Sequence, residues 1–157
     1  MPGLAVVFCG TAASTVSAHR RAYYAGPGNA FWPTLFEIGL TPRLLQPEEF
    51  RDIPQFGLGL TDLAKTASGA DHSLRPSHFD CVSFKRKINL FQPGILAFTS
   101  KRAATEFLDR PVSYGLQAEG INATALFVLP SPSGAARRYW DLDPWRELAD
   151  LTRQEKK

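Results

Sequence analysis

The sequence predicts an α/β sandwich built around a parallel sheet, and two observations carry that prediction. Several short segments are apolar nearly throughout and bounded by turn residues, as strands covered on both faces should be. Stretches with helical spacing lie between them, and strands alternating with helices imply parallel pairing through crossover connections. The 157 residues make a single-domain length, long enough to bury a real core, so one domain over 1–157 is expected.

Taken in order, the strand segments are Leu4–Cys9 (LAVVFC), Gly57–Thr61 (GLGLT), Gly94–Thr99 (GILAFT) and Thr124–Leu129 (TALFVL). Between the first two, Asn29–Gly39 places Phe31, Trp32, Leu35, Phe36 and Ile38 at near-helical spacing, with Gly39 as a stop. Phe79–Phe91 carries Val82, Ile88 and Phe91 among polar residues. Lys101–Leu108 follows the third strand directly, and Pro144–Leu151 closes the pattern with a proline suited to a helix start. Arg153–Lys157 reads as a frayed tail.

Composition narrows the function classes. Hydrophobic residues make up 44% and charged residues 21%, ordinary values for a soluble globular protein. No run approaches the roughly 18 apolar residues of a membrane span. Leu4–Cys9 is short and lacks a basic flank, so it does not read as a signal peptide, and a cytoplasmic location is expected. Cys9 and Cys81 are far apart, and His19, His72 and His78 form no ligand pair, so no metal is expected. A net charge of +3 permits a polyanionic partner without demanding one. Short basic clusters occur at His19–Arg21, Lys85–Lys87, Lys101–Arg102 and Arg137–Arg138; that at Lys85–Lys87 reads as a solvated surface.

Open parallel sheets bind ligands beyond the carboxyl ends of their strands. Two of the loops there are unusual. After the first strand come Gly10-Thr11-Ala12-Ala13-Ser14, then Ser17, Tyr23-Tyr24 and the turn Ala25-Gly26-Pro27-Gly28-Asn29. Small residues let a backbone approach a planar or anionic ligand closely, with amide N–H groups aimed at it. A tyrosine ring could cover that ligand, or the loop could be a plain turn with Tyr23 or Tyr24 capping the core. After the last strand come Pro130-Ser131-Pro132-Ser133-Gly134-Ala135-Ala136-Arg137. Prolines stiffen it, and small residues ending in arginine suit a probe pushed into a DNA groove; a stiff surface loop is the alternative.

These segments carry a resemblance. FCG at Phe8–Gly10, AGPGNAFW at Ala25–Trp32, TPRLL at Thr41–Leu45, GLTDL at Gly59–Leu63 and LPSPSG at Leu129–Gly134 occur in the order found in the mismatch-specific uracil-DNA and thymine-DNA glycosylases of the uracil-DNA glycosylase superfamily. The chain resembles that family over roughly residues 4–150. The resemblance implies a three-layer sandwich with a four-stranded parallel sheet, order 2-1-3-4, flanked by helices. It implies a monomeric, cofactor-free enzyme that flips a nucleotide from double-stranded or single-stranded DNA containing uracil and cleaves its glycosidic bond, leaving an abasic site. Gly10, Thr11, Ala13, Ser17, Tyr24, Asn29 and Ser131 would line the base pocket, with Tyr24 stacking on the base. Ser133, Gly134, Ala135, Ala136 and Arg137 would enter the duplex, and Lys101 would contact DNA.

The pattern breaks at two places. The family's first motif reads Gly-Ile-Asn-Pro-Gly and its Asn positions the attacking water; Ala12 stands there and cannot. The second motif begins with Asn, here Ser131. Another branch of the superfamily carries alanine at the same place and remains active. Asp62, just past the second strand, is the candidate to orient the water instead; capping the next turn is its alternative role. Two rival functions remain open: a catalytically silent lesion or abasic-site binder, which Ala12 favours, and an enzyme of free nucleosides, which the Gly134–Arg137 loop disfavours.

Overall fold

The computed structural model describes residues 3–11, 23–26, 28–63 and 81–155. Strand β1 (Val6–Gly10) pairs in parallel with β2 (Leu58–Asp62) on one side and β3 (Ile95–Phe98) on the other. On the far side of β3 lies β5 (Thr124–Val128), again parallel, and β4 (Gly115–Ile121) closes that edge antiparallel to β5. The sheet order is β2-β1-β3-β5-β4. The expected order therefore holds for the parallel strands, and the sheet has five strands rather than four.

The additional strand escapes sequence reading for physical reasons. Gly115–Ile121 lies at the sheet edge and is exposed along most of its length, so it lacks an apolar run. Its pairing is irregular between Leu116 and Gly120. A Cβ on Gly120 would sit 2.6 Å from the Thr124 carbonyl oxygen, so the close approach of the hairpin requires glycine there.

Helices cover both faces because strand side chains alternate. Val6, Phe8, Ile95, Ala97 and Phe127 point to one layer, formed by α1 (Phe31–Glu37) and α4 (Asp143–Glu155). Cys9, Leu96, Phe98, Leu126 and Val128 point to the other, formed by α2 (Cys81–Phe91) and α3 (Lys101–Leu108). Two 3-10 segments, Pro47–Phe56 and Gly134–Tyr139, lie outside the elements expected from the sequence. Among the described residues no helix is long and apolar enough to cross a membrane.

The helix ends explain their lengths. The Asn29 side chain accepts a hydrogen bond from the Phe31 amide at 2.9 Å, fixing the approach to α1. After α1, the amides of Gly39 and Leu40 turn back to the carbonyls of Phe36 and Leu35, with Gly39 at φ +83°, a left-handed Schellman stop. Ser100 caps α3 by accepting from the Ala103 amide. The last helix runs past the expected Leu151 to Glu155, and Arg153 there donates to the Ile38 carbonyl at 2.6 Å. That bond ties the end of α4 to the end of α1.

Trp145 is the pivot of the first layer. Fully buried, it lies 6.0 Å from Phe8 in a stacked pose and 6.0 Å from Phe31 edge-on. Its indole N–H donates to the Pro130 carbonyl at 3.2 Å, so the core reaches directly into the loop after β5.

Candidate active site at the carboxyl ends of the strands

Parallel register brings three chain segments to one point. Gly10 pairs with Asp62 across β1 and β2, and the Thr99 amide donates to the Cys9 carbonyl from the end of β3. Tyr24, two residues into the Tyr23–Gly26 segment, reaches the same place: its phenol lies 3.0 Å from the Thr99 hydroxyl. The space over the Gly10 Cα is defined by these groups. The position a Cβ would take there is 2.9 Å from Asp62 Oδ1 and 3.5 Å from both Thr99 Oγ1 and Tyr24 Oη. Glycine is thus required by the oxygen atoms crowding the end of the central strand, not by a backbone conformation.

Charge and burial act together here. Asp62 is only 7% exposed, and Thr11 beside it is also buried. Burial raises the Tyr23 pKa to about 12, with the negative charge of Asp62 adding to the effect. Tyr24 is driven well above its usual value by the same causes, burial first, against the opposing bond from Thr99. Both phenols consequently stay protonated and remain hydrogen-bond donors beside a carboxylate.

The Tyr24 ring is firmly placed. It stacks on Phe31 at 4.0 Å with the planes 18° apart, and Phe31 meets Trp32 and Phe8 edge-on at 5.1 Å each. Its backbone sits at φ +52°, a conformation that bulky residues rarely adopt and that is held only where surroundings over-determine it. The preceding residue, Tyr23, is also anchored, since its carbonyl accepts from the Trp32 indole at 3.0 Å.

The two loops singled out in the sequence are joined. The Ala30 amide donates to the Pro132 carbonyl at 2.8 Å. Gly28, at φ +72°, faces Arg137: a Cβ there would lie 2.8 Å from an Arg137 guanidinium nitrogen and 3.7 Å from the Gly134 Cα. Within the second loop, Ser131 Oγ accepts from the Ser133 amide and Ser133 Oγ from the Ala135 amide, each at 3.2 Å. Gly134 through Tyr139 then form a 3-10 turn rather than an open loop, with Ala135 and Arg137 exposed and Gly134 and Ala136 half-buried. Lys101 is exposed in the first turn of α3, its ammonium 4.5 Å from the Tyr114 ring centre.

Gly10, Thr11, Tyr24 and Asp62 gather at the strand ends, while Asn29, Ser131, Ser133, Gly134 and Arg137 belong to the joined loops. Asn29 spends its side-chain oxygen on the start of α1. Ala12, Ala13 and Ser17 lie outside the described residues, as do His19–Arg21 and the histidines His72 and His78. Thr99 is the residue that sequence reasoning missed; its signal was a hydroxyl at the end of an apolar strand, opposite the glycine of the first loop. The chain matches the uracil DNA glycosylase superfamily over residues 1–151, a match that spans the sheet, both loops and the larger part of α4, and it belongs to that superfamily, whose general activity is base excision from DNA.

Proposed function

We propose that this chain is a monofunctional uracil-DNA glycosylase in which Asp62 takes over the water-handling role that Ala12 cannot perform. The observation that supports this reading is the convergence of Asp62 Oδ1, Thr99 Oγ1 and Tyr24 Oη around Gly10 at the end of the central strand. A flipped uracil stacks on the face of Tyr24 opposite Phe31, with the amides of Thr11 and Tyr24 directed at its carbonyl oxygens. The C1′–N1 bond breaks with its electron pair leaving on uracil as an anion, stabilised by these fixed donors. The sugar develops oxocarbenium character, which the Asp62 carboxylate stabilises through space. Water attacks C1′, Asp62 orients it and accepts its proton, and an abasic site remains. Arg137, braced against Gly28, fills the gap left in the duplex. A monomer suffices, since the pocket residues and the inserting loop come from one chain.

Alanine at position 12 and serine at position 131 also make the pocket less discriminating than an asparagine pair, so hypoxanthine and xanthine are further candidate bases. The test is single-turnover excision from a labelled uracil duplex by the parent, Asp62→Asn and Ala12→Asn. Excision by the parent that falls by about 10²–10⁴ in Asp62→Asn supports the reading. An inactive parent that gains activity from Ala12→Asn would make the chain a lesion binder descended from an enzyme. Undiminished excision by Asp62→Asn would remove Asp62 from the mechanism.

A further inference from the structure

A groove of about 530 Å³ opens on the second helical layer, between α2, the end of α3 and the edge strand β4. Helical spacing brings Val82, Lys85, Arg86 and Asn89 to the strip of α2 that lines it, because positions three and four apart share a helix face. Its walls are pinned at both ends. The Cys81 thiol donates to the Glu106 carbonyl at 3.5 Å, and the Asn122 side-chain amide donates to Asn89 Oδ1 at 2.7 Å. Asn122 lies in the turn from β4 into β5, next to Ile121, which pairs with Thr124 at the amino end of β5. That end of the groove is therefore at the opposite end of the sheet from Gly10, Asp62 and Thr99.

The groove is two-sided in its chemistry. Phe107, Leu108, Ile121 and the buried Leu126 give it an apolar floor. Lys85 and Arg86 stand exposed on its lip and meet no carboxylate among the described residues. Glu119, the acid on the opposite wall, is already engaged by Arg110. Val82, 65% exposed, extends the apolar edge. The volume is that of a small-ligand pocket, room for a few side chains of a peptide.

We propose that this groove docks an acidic, linear peptide segment of a partner protein, one that sets bulky apolar side chains between carboxylates. The apolar side chains cover the Leu126 floor while the flanking acids reach Lys85 and Arg86, so each part of the peptide meets its complement. A phosphate backbone would answer the same cations but leave the apolar floor wet and bring negative charge against Glu119. A partner held here leaves the carboxyl ends of the strands open, so docking and work at the candidate site are compatible. The proposal stands apart from the glycosylase reading.

Fluorescence anisotropy with the labelled peptide Asp-Glu-Phe-Leu-Glu-Asp tests it on the full chain. Saturable binding is expected. Alanine in place of the peptide's Phe and Leu should weaken it by about 10-fold or more, and Arg86→Ala by about 3-fold. Lys85→Glu combined with Arg86→Glu should abolish binding while leaving far-ultraviolet circular dichroism and uracil excision at the parent's level. No saturable binding, equal binding of a Lys-Arg-Phe-Leu-Lys-Arg control, or binding untouched by the double reversal would overturn the proposal. Displacement of the peptide by a uracil-free duplex would overturn it in favour of a DNA contact, and self-association abolished by the double reversal in favour of a second copy of this chain. A parent that binds the peptide yet excises no uracil would keep the docking site and sink the glycosylase reading.

Discussion

Adding one methyl group at Gly10 probes the site at its narrowest point. The Cβ of Gly10→Ala would stand 2.9 Å from Asp62 Oδ1, with Thr99 Oγ1 and Tyr24 Oη at 3.5 Å. The latter two distances are ordinary contacts, so the strain falls on Asp62 alone, whose carboxylate must retreat by about 0.5 Å to reach van der Waals distance. Overpacking of this kind costs about 1–3 kcal/mol of stability. A catalytic group misplaced by about 1 Å loses on the order of 100-fold in rate, so half that displacement predicts roughly a 10-fold loss of excision. The assay is single-turnover excision in both the parent and Asp62→Ala backgrounds, with thermal melting of each protein alongside. If the methyl acts through the carboxylate, Gly10→Ala costs about 10-fold in the parent and almost nothing once Asp62 is gone. Equal losses in both backgrounds would refute the reasoning, because the methyl would then be acting on the base or the strand instead.

Other perturbations follow from the same geometry. Thr99→Val leaves the buried Tyr24 phenol without its partner and should destabilise the fold by about 1–3 kcal/mol in urea titrations, while Tyr24→Phe with Thr99 intact should cost less. Thr61→Val should act in the opposite sense, raising the midpoint, because among the described residues Thr61 Oγ1 is the buried side-chain oxygen that has no hydrogen-bond partner. Gly28→Ala combines a φ of +72° with a 2.8 Å approach to Arg137, and it should weaken duplex binding while leaving far-ultraviolet circular dichroism unchanged. Stability should fall as pH rises above about 10, the unfolded tyrosine value, toward 12: the native state keeps the Tyr23 proton that the unfolded chain releases. The decline should be shallower in Tyr23→Phe, as measured by urea unfolding across that range.

Much of the sheet was legible because parallel strands are buried on both faces and spell themselves as apolar runs. LAVVFC, GILAFT and TALFVL leave little choice. Gly115–Ile121 was illegible for the opposite reason: an exposed edge strand needs no apolar code, and its glutamate, glutamine and glycines read as a loop. At the site, Gly10, Asp62 and Tyr24 stood out by position after a strand or beside a turn. Thr99 did not, since nothing local distinguishes a threonine that ends a strand from one that meets a phenol 75 positions away in sequence. The bracing of Gly28 against Arg137 was equally hidden, because each loop looks self-sufficient until the fold sets them side by side.

That bracing has a mechanical consequence. With Ala30 bonded to Pro132 and Arg137 seated over Gly28, the loop after β1 and the loop after β5 form a single cooperative unit. The Trp145 indole fastens that unit to the core through Pro130. A substitution that loosens either loop is then felt by the other, with the hydrophobic core as their common anchor. The helix α4 that carries Trp145 sets that unit's stiffness from beneath the loops.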